Sequence, residues 1–335
     1  MSTELRLIGL QEAVARPAPG IPPRAPGSVR RSSHVDMTWP DSAPGDPAGV
    51  VVLEAAATDV VTRPDGSGHV VAQAQLRTTV ERGRKVTGLV TDDVDLTPLL
   101  GLTAASGWRA AARQLVPEGL QSPLGLLLDE VPIAVLLSFY AGLRSGALTG
   151  PMSPRASSHM RDLCAGWAAD ATPMRAIDAG HGVPLPQLVP VPRPQGHDPL
   201  DTEPRPDLLP GRLRRSRRID VLLGEVLRVD AMFRDSWSDP TGGEGILHEY
   251  GLAAEVSRDG TLLSLSAEPR VLPYAECPSA LASVQLLVGQ HVGTAATAMP
   301  PELSGASSCT HLNDLLRCLA CVPALAAQGE TRPLR

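Results

Sequence analysis

The sequence predicts an α+β fold made of two pseudo-symmetric copies of one unit, each an antiparallel four-stranded sheet followed by two helices. The chain has 335 residues, of which 43% are apolar, so it can fill a sizeable core. A motif that begins at Val29 recurs at Leu213, and strand-like segments and turn signals follow both occurrences in the same order.

The internal repeat can be read directly from the residues. Residues 29–37 (VRRSSHVDM) align with residues 213–221 (LRRSRRIDV), with identities at Arg30/Arg214, Arg31/Arg215, Ser32/Ser216 and Asp36/Asp220. A gapless shift of 176 residues then matches Asp59/Asp235, Pro64/Pro240, Gly66/Gly242, Leu76/Leu252, Val80/Val256 and Arg82/Arg258. A register kept over so many positions indicates duplication.

Strand patterns follow each occurrence of the motif. Residues 49–62 and 226–237 are rich in Val, Leu and Ala and end in the turn signals PDG and DPTG. Further strands are predicted over residues 70–81, 246–257 and 261–271, because these segments lie between turn signals. We therefore expect four antiparallel strands in each copy.

Two helices are predicted in the second copy. Pro278 begins the first, whose apolar stripe ends at Gly289. The second runs from about Cys309 to Val322, with leucines at helical spacing. The matching stretch of the first copy, residues 122–130, is more apolar, and we expect it to be more deeply buried.

The chain divides by composition into five parts. Residues 1–28 are a Pro-rich extended arm, and residues 29–145 are the first, scaffold-like copy. A Pro-rich crossover covers residues 146–211, where closely spaced prolines disfavour regular structure. We expect so long a connection to wrap over the surface or to cover a site. The second copy, residues 212–323, carries the candidate site, and residues 324–335 form a tail.

The composition disfavours nucleic acid as a partner. The chain has only nine aromatic residues, and its 30 basic residues are outnumbered by 36 acidic ones, which leaves few stacking surfaces and no basic excess. The common nucleotide-binding and hydrolase motifs are also missing from the sequence. A small-molecule substrate is the expected partner, and the oligomeric state stays open.

The sequence also favours a cytoplasmic location. Glu4 and Arg6 interrupt the stretch where a secretory signal needs an apolar run. The most apolar segment, residues 124–139, is broken by charged residues and Pro132 and is too short to span a bilayer, so no membrane partner is expected. The five cysteines are sparse and odd in number, which favours reduced thiols over a disulfide framework.

Several motifs carry a resemblance to a known family. They are residues 26–32 (PGSVRRS), 214–221 (RRSRRIDV), 230–236 (DAMFRDS), 248–250 (HEY), 269–273 (PRVLP), 276–278 (ECP) and 309–316 (CTHLNDLL). Together they resemble the bacterial family catalogued as domain of unknown function 2889, from Pro26 to about Leu319. The resemblance helps to select the candidate functional residues, but it implies no particular reaction.

The two copies differ in a way that indicates a site in the second. At matched positions the polar or aromatic residues of the second copy replace simpler ones of the first: Arg234 for Thr58, His248 for Ala72, Glu249 for Gln73 and Tyr250 for Ala74. A single functional site in the second copy would produce these differences between the copies. Random sequence divergence on an exposed face would produce them too.

A catalytic interpretation centres on Cys309. Its place at the start of the predicted helix favours a thiolate nucleophile, with His311 or His248 as the base. Asp314 or Glu249 would orient that base. Tyr250 shares a strand face with His248 and could join it in acid/base work, because side chains alternate along a strand. The competing interpretation is a small cysteine packed beneath the helix.

Anion binding is a second candidate role. Arg217 and Arg218 lie in an arginine-rich run, and Arg234 and Asp235 follow on the next predicted strand. Guanidinium groups match carboxylates and phosphates, so these residues are candidates for substrate binding. The alternative is a solvated strand whose arginines pair with neighbouring acidic residues.

A metal site is the third candidate. Cys277, Cys309, His311 and His248 form a mixed sulfur and nitrogen set that suits zinc. Residues two apart on a regular helix point about 200° from each other, so Cys309 and His311 share an ion only if Cys309 lies outside the helix.

Three functions follow. The first is a small-molecule enzyme of hydrolase, lyase or acyl-transfer type, acting on an anionic carboxylate or thioester with a Cys/His site. The second is a zinc- or iron-dependent enzyme using the same residues. The third is a non-catalytic binding or assembly module. Whether His248, Cys277, Cys309 and His311 converge on one point distinguishes them.

Overall fold

The computed structural model of the protein describes residues 14–92, 94–150, 152–192, 198–202, 206–241, 243–297 and 299–330. Its strands are β1 (Ser28–Thr38), β2 (Val51–Thr62), β3 (Gly68–Glu81), β4 (Lys85–Val90), β5 (Val189–Pro190), β6 (Arg212–Leu222), β7 (Leu227–Ser238), β8 (Glu244–Val256) and β9 (Leu262–Val271). Its α-helices are α1 (Trp108–Leu115), α2 (Pro123–Ser145), α3 (Pro154–Met160), α4 (Thr172–Asp178), α5 (Val292–Thr297), α6 (Thr310–Arg317) and α7 (Val322–Glu330).

All described strands belong to one antiparallel sheet, in the order β4-β3-β2-β1-β6-β7-β8, with β5 and β9 pairing along different parts of β8. The predicted α+β class is therefore confirmed. The four strands before the crossover and the four long strands after it form two meanders. They meet side by side at β1 and β6, so the sheet is continuous across both halves.

Reciprocal ion pairs hold the two meanders in register. Arg30 lies opposite Asp220, and its Nε donates to Asp220 Oδ1 at 2.6 Å. Asp36 lies opposite Arg214, whose Nε donates to Asp36 Oδ1, also at 2.6 Å. A slip of one residue would turn every side chain of one strand to the other face, so these pairs help specify the register.

Helices cover one face of the sheet. Trp108 of α1 and Leu127 of α2 pack with β2 and β3 in one apolar cluster, and Leu312 of α6 and Leu325 of α7 pack with β7, β8 and β9 in another. Segments of the arm and the crossover cover the other face. There the backbone N–H of Ala18 donates to Glu249 Oε1 at 2.6 Å. Residues 1–13 of the predicted arm lie outside the described residues.

The long helix α2 positions the site. It begins after Ser122, whose Oγ accepts a hydrogen bond from Gly125 N at 3.1 Å, and ends at Gly146 with φ of 79°. The expected deep burial of residues 122–130 is found from Pro123 onward. The helix continues through Pro132. It also extends beyond residues 124–139, the apolar run identified in the sequence. By length and composition it could cross a membrane, but 78% of its most apolar window is buried, as in a core helix.

The C-terminal region differs from its prediction. The helix expected from Pro278 to Gly289 is a 3-10 helix over Cys277–Leu287. The second expected helix is divided into α6, a 3-10 turn at Cys318–Cys321, and α7. Residues 324–330, assigned to the tail, belong to α7, because Leu325 and Ala326 are buried in the core. Residues 331–335 lie outside the described residues.

The crossover is more structured than its prolines suggest. It contains α3 and α4, the 3-10 turn Ala165–Trp167, and the short strand β5. Pro154 and Pro173 occupy first-turn positions of α3 and α4, where a missing N–H costs nothing.

The reciprocal ion pairs give a test of stability. We expect Asp36→Ala to lower the free energy of unfolding by about 3 kcal/mol, since it leaves the buried guanidinium of Arg214 without its carboxylate. The matched control is Glu54→Ala, which breaks a pair with Arg77 whose side chains are 51% and 60% exposed and should cost less than about 1 kcal/mol. Urea denaturation measures both. Equal losses in the two variants would contradict a buried, stabilising pair.

Candidate functional site

A buried cluster of charges joins the helices to the centre of the sheet. Arg215 of β6 donates from Nε to Glu130 Oε2 at 2.7 Å, from Nη1 to Asp235 Oδ1 at 2.7 Å, and from Nη2 to Asp314 Oδ2 at 2.8 Å. Arg217 donates to Glu130 and to Asp314, each at 2.6 Å. All five side chains are at most 4% exposed. The cluster therefore ties α2, β6, β7 and α6 together.

Two of the carboxylates, Asp235 and Asp314, have different electrostatic environments. Burial raises the pKa of Asp235 to about 6, and the neighbouring Arg215 offsets this only in part. Burial acts in the same direction on Asp314, but Arg217 and Arg215 outweigh it and hold the pKa of that carboxyl well below its usual range. Asp314 is thus a partner of arginines and not the predicted orienting group of a catalytic base.

Two histidines lie beside Asp235. His248 is opposite Asp235 in the β7–β8 register, immediately before a bulge, and His311 is in the first turn of α6. Their rings stack with centroids 4.0 Å apart and planes 18° from parallel. Asp235 Oδ2 lies 3.6 Å from His248 Nδ1 and 4.0 Å from His311 Nε2. Of the four residues whose convergence distinguishes the candidate functions, His248 and His311 therefore lie together.

The ring nitrogens that face Asp235 are unusual. Neither His248 Nδ1 nor His311 Nε2 has a hydrogen-bond partner among the described residues, although both atoms are buried. One ligand atom from each of Asp235, His248 and His311 can be chosen so that all three lie within 4.8 Å of one another. Buried polar atoms are normally hydrogen-bonded, so this group needs an explanation.

Aromatic side chains surround the histidine pair. Tyr140 of α2 contacts His248 edge to face at 5.1 Å, and Phe233 stacks on His311 at 6.2 Å. Burial lowers the pKa of His248 well below its usual value, and burial with the nearby Arg215 lowers that of His311 to about 3. Both imidazoles are neutral at pH 7, which is the form that binds metals.

The cysteines lie next to this group and outside it. Cys309 is the N-cap residue of α6, as the helix prediction places it, but it is buried, and burial raises the pKa of its thiol despite the backbone N–H groups of Leu312 and His311. The hydroxyl of the buried Tyr250 has no hydrogen-bond partner among the described residues. Burial also raises the pKa of Cys277. The group of mutually close ligand atoms found among the described residues does not include either thiol.

The arginines predicted to bind anions already have carboxylate partners. Arg234 Nε donates to Glu249 Oε2 at 2.5 Å, on the face of the sheet opposite His248. Arg218 contacts Asp220 and Asp230, and Arg217 belongs to the buried cluster. These pairs match the alternative interpretation, in which the arginines pair with neighbouring acidic residues. They differ from it in one respect, because most of these residues are buried and that interpretation placed them in solvent.

Sequence reasoning missed three parts of the site. It assigned Asp235 to substrate binding, took Glu130 only as a break in an apolar run, and considered Arg215 only as one member of the arginine-rich run. Signals for two of them were present, because Arg31/Arg215 and Asp59/Asp235 are identities of the internal repeat. The place of Glu130 in an apolar helix is the third signal, since a buried carboxylate requires a cationic partner.

Comparison with known proteins bears on the same region. Residues 213–324 match a family model described as "Protein of unknown function (DUF2889)". This confirms the resemblance over that stretch. The DUF2889 segment contains Arg215, Asp235, His248 and His311, whereas Glu130 precedes it. No curated protein and no solved structure matches the chain.

The environment of Cys309 predicts low reactivity. Because burial raises its pKa, we expect iodoacetamide at neutral pH to alkylate Cys309 at least about tenfold more slowly in the native protein than in urea. Peptide mass spectrometry measures the rate, and Cys309→Ala identifies the labelled peptide. Rapid labelling of native Cys309 would instead support the nucleophile interpretation.

The histidine pair predicts a pH dependence of stability. His311 has a pKa of about 3 in the fold against 6.5 ordinarily, so its contribution is complete above pH 6.5 and is lost as the pH falls toward 3. The loss is at most about 5 kcal/mol. Asp235, with its raised pKa of about 6, acts in the opposite sense below that pH and offsets part of it. Urea midpoints of chelator-treated protein measure the effect.

The control for this experiment is His311→Gln. It removes the titrating imidazole, so the unfolding free energy should fall less between neutral and acidic pH than it does in the unmodified protein. An identical pH dependence in the two proteins would show that His311 does not titrate as its burial requires.

Proposed function

We propose that the protein is a metal-dependent enzyme that holds one divalent transition-metal ion, zinc or iron(II), through Asp235, His248 and His311. The observation that carries the proposal is the pair of buried imidazole nitrogens without partners, both directed at one carboxylate oxygen. A bound ion would satisfy both nitrogens at once.

The donor set suits these ions. Two imidazoles and one carboxylate are ligands of catalytic zinc and of non-haem iron(II), and three protein ligands leave a coordination position open for water or substrate. Metal bonds of about 2.1 Å place tetrahedral ligand atoms about 3.4 Å apart. The distances of 3.6 and 4.0 Å to Asp235 Oδ2 are longer than this, and the three ligand atoms lie within 4.8 Å of one another, so a bound ion would draw the three groups closer together.

The surroundings would keep the ligands in place. Arg215 donates to both oxygens of Asp235, at 2.7 and 2.9 Å, and so orients the carboxylate. Asp314 follows His311 by three residues on α6 and is bound by the same arginine, which fixes the rotation of that helix. Such support of metal ligands by hydrogen-bonded neighbours is common. The ion would supply Lewis acidity or an activated water at its open position.

We also infer that the two meanders arose by duplication, with approximate two-fold symmetry. Asp59 lies opposite Ala72 just before a bulge in β2 and β3, as Asp235 lies opposite His248 just before a bulge in β7 and β8. Arg31 binds Asp59 as Arg215 binds Asp235. The first copy thus has the ion pair without an imidazole, which supports His248 as a functional addition and not a requirement of the fold.

Metal analysis tests the proposal. Protein purified without chelators should contain about one zinc or iron per chain by mass spectrometry of the elements, and His248→Gln, His311→Gln and Asp235→Asn should each lower this at least about tenfold. Cys309→Ser and Cys277→Ser should keep the metal, because their thiols lie outside the ligand group. Calorimetric titration of zinc into chelator-treated protein gives a second measurement.

His34→Gln is the matched control, since it changes another buried histidine, on β1. It should leave metal content unchanged. The proposal fails if unmodified protein neither retains nor rebinds zinc or iron(II), or if metal loss is equal in His34→Gln and His248→Gln.

A further inference from the structure

A cavity of about 920 Å³ lies between the sheet, α2 and the crossover. Its wall includes Val51 and Val80 from the sheet, Leu136 and Phe139 from α2, and Met160 at the end of α3. Asp235, His248 and His311 are not among its lining residues. The volume is that of a site for a small organic molecule.

The lining is mainly apolar, and the cavity opens to solvent past exposed residues that include Glu81, Thr149 and His159. Trp39, Val51 and Val80 belong to its wall, with exposed fractions of 9%, 6% and 1%. The half-buried Leu136 and Phe139 give the apolar surface that a ligand can reach. Empty space of this size forfeits the contacts of its lining atoms, and an apolar ligand would restore them.

The crossover completes the wall. Leu148, Met152, Val183 and Leu185 all come from this segment and face the strands and α2 across the cavity. Long connections with little regular structure in a compact protein are commonly binding loops. The expectation that the crossover covers a site agrees with this position.

The ionisable residues of the cavity have no dominant sign. Asp46 and Glu81 are acidic, Arg84 is basic, and His159 and His181 complete the set. A strongly charged ligand would meet groups of both signs, which gives no net attraction.

We propose that this cavity binds an elongated, uncharged and mainly apolar molecule, with its chain against Leu136, Phe139 and Met160. The site is distinct from the proposed metal centre and does not depend on it. Phe139 also contacts Tyr140 at 5.8 Å, and Tyr140 contacts His248. The rings of Phe139 and Tyr140 would therefore separate a ligand in the cavity from the proposed metal centre.

The test uses two neutral probes on the full chain. Nile red should bind saturably, with about one molecule per chain, and dodecan-1-ol should displace it. Leu136→Trp, which fills the cavity, should weaken Nile red binding at least about tenfold. The matched control, Leu286→Trp, adds the same ring at a site that is 45% exposed and should change affinity less than about twofold. Chelator-treated protein should bind equally well, which separates this test from that of the metal.

A second measurement does not depend on the folding of Leu136→Trp. A bromine-labelled alcohol, 11-bromoundecan-1-ol, should quench Trp39 on contact, and Trp39→Phe should lose that quenching. The proposal is overturned if Nile red does not saturate, if folded Leu136→Trp binds it normally, if quenching persists in Trp39→Phe, or if dodecanoate binds more tightly than dodecan-1-ol.

Discussion

The guanidinium group of Arg215 is the constraint on which the site depends. Removing an arginine from water costs several kcal/mol, and the cost is met only when carboxylates complete its hydrogen bonds. Here they come from Glu130, Asp235 and Asp314, on three different elements. None of these elements can move away from β6 without leaving a buried charge unpaired. The positions of Asp235 on β7 and of His311, one turn before Asp314 on α6, follow from that requirement.

One of the carboxylates that bind Arg215 lies outside the DUF2889 segment. Arg215 and Arg217 lie within residues 213–324, but Glu130, which binds both, lies on α2. Strand β6 is paired on one side by β1, again from outside the segment. The matched residues therefore form half of a sheet whose central arginines also need one carboxylate, Glu130, from the other half of the chain. The two halves behave as one structural unit because a buried ionic network is favourable only when complete.

Helix α2 contributes to both the proposed metal centre and the cavity. Its Glu130 binds the central arginines, Tyr140 packs on His248, and Phe139 borders the cavity. A helix that is apolar on nearly all sides must be buried all round, and α2 satisfies this by lying between the sheet and the crossover. Any displacement of α2 would reach both sites together, since the same helix supplies contacts to each.

Local pattern determined much of this protein. Turn signals and the repeat were enough to predict the antiparallel strands of both meanders, and the comparison of matched positions selected His248, while the helix start at Cys309 brought His311 into consideration. The tertiary structure decided which of these groups meet. Glu130 looks like an interruption of an apolar run until Arg215, 85 residues further along, is placed beside it. Cys309 looks reactive at a helix start until burial raises its pKa. Partner choice and burial arise from contacts between distant segments, and periodicity along the chain carries no information about them.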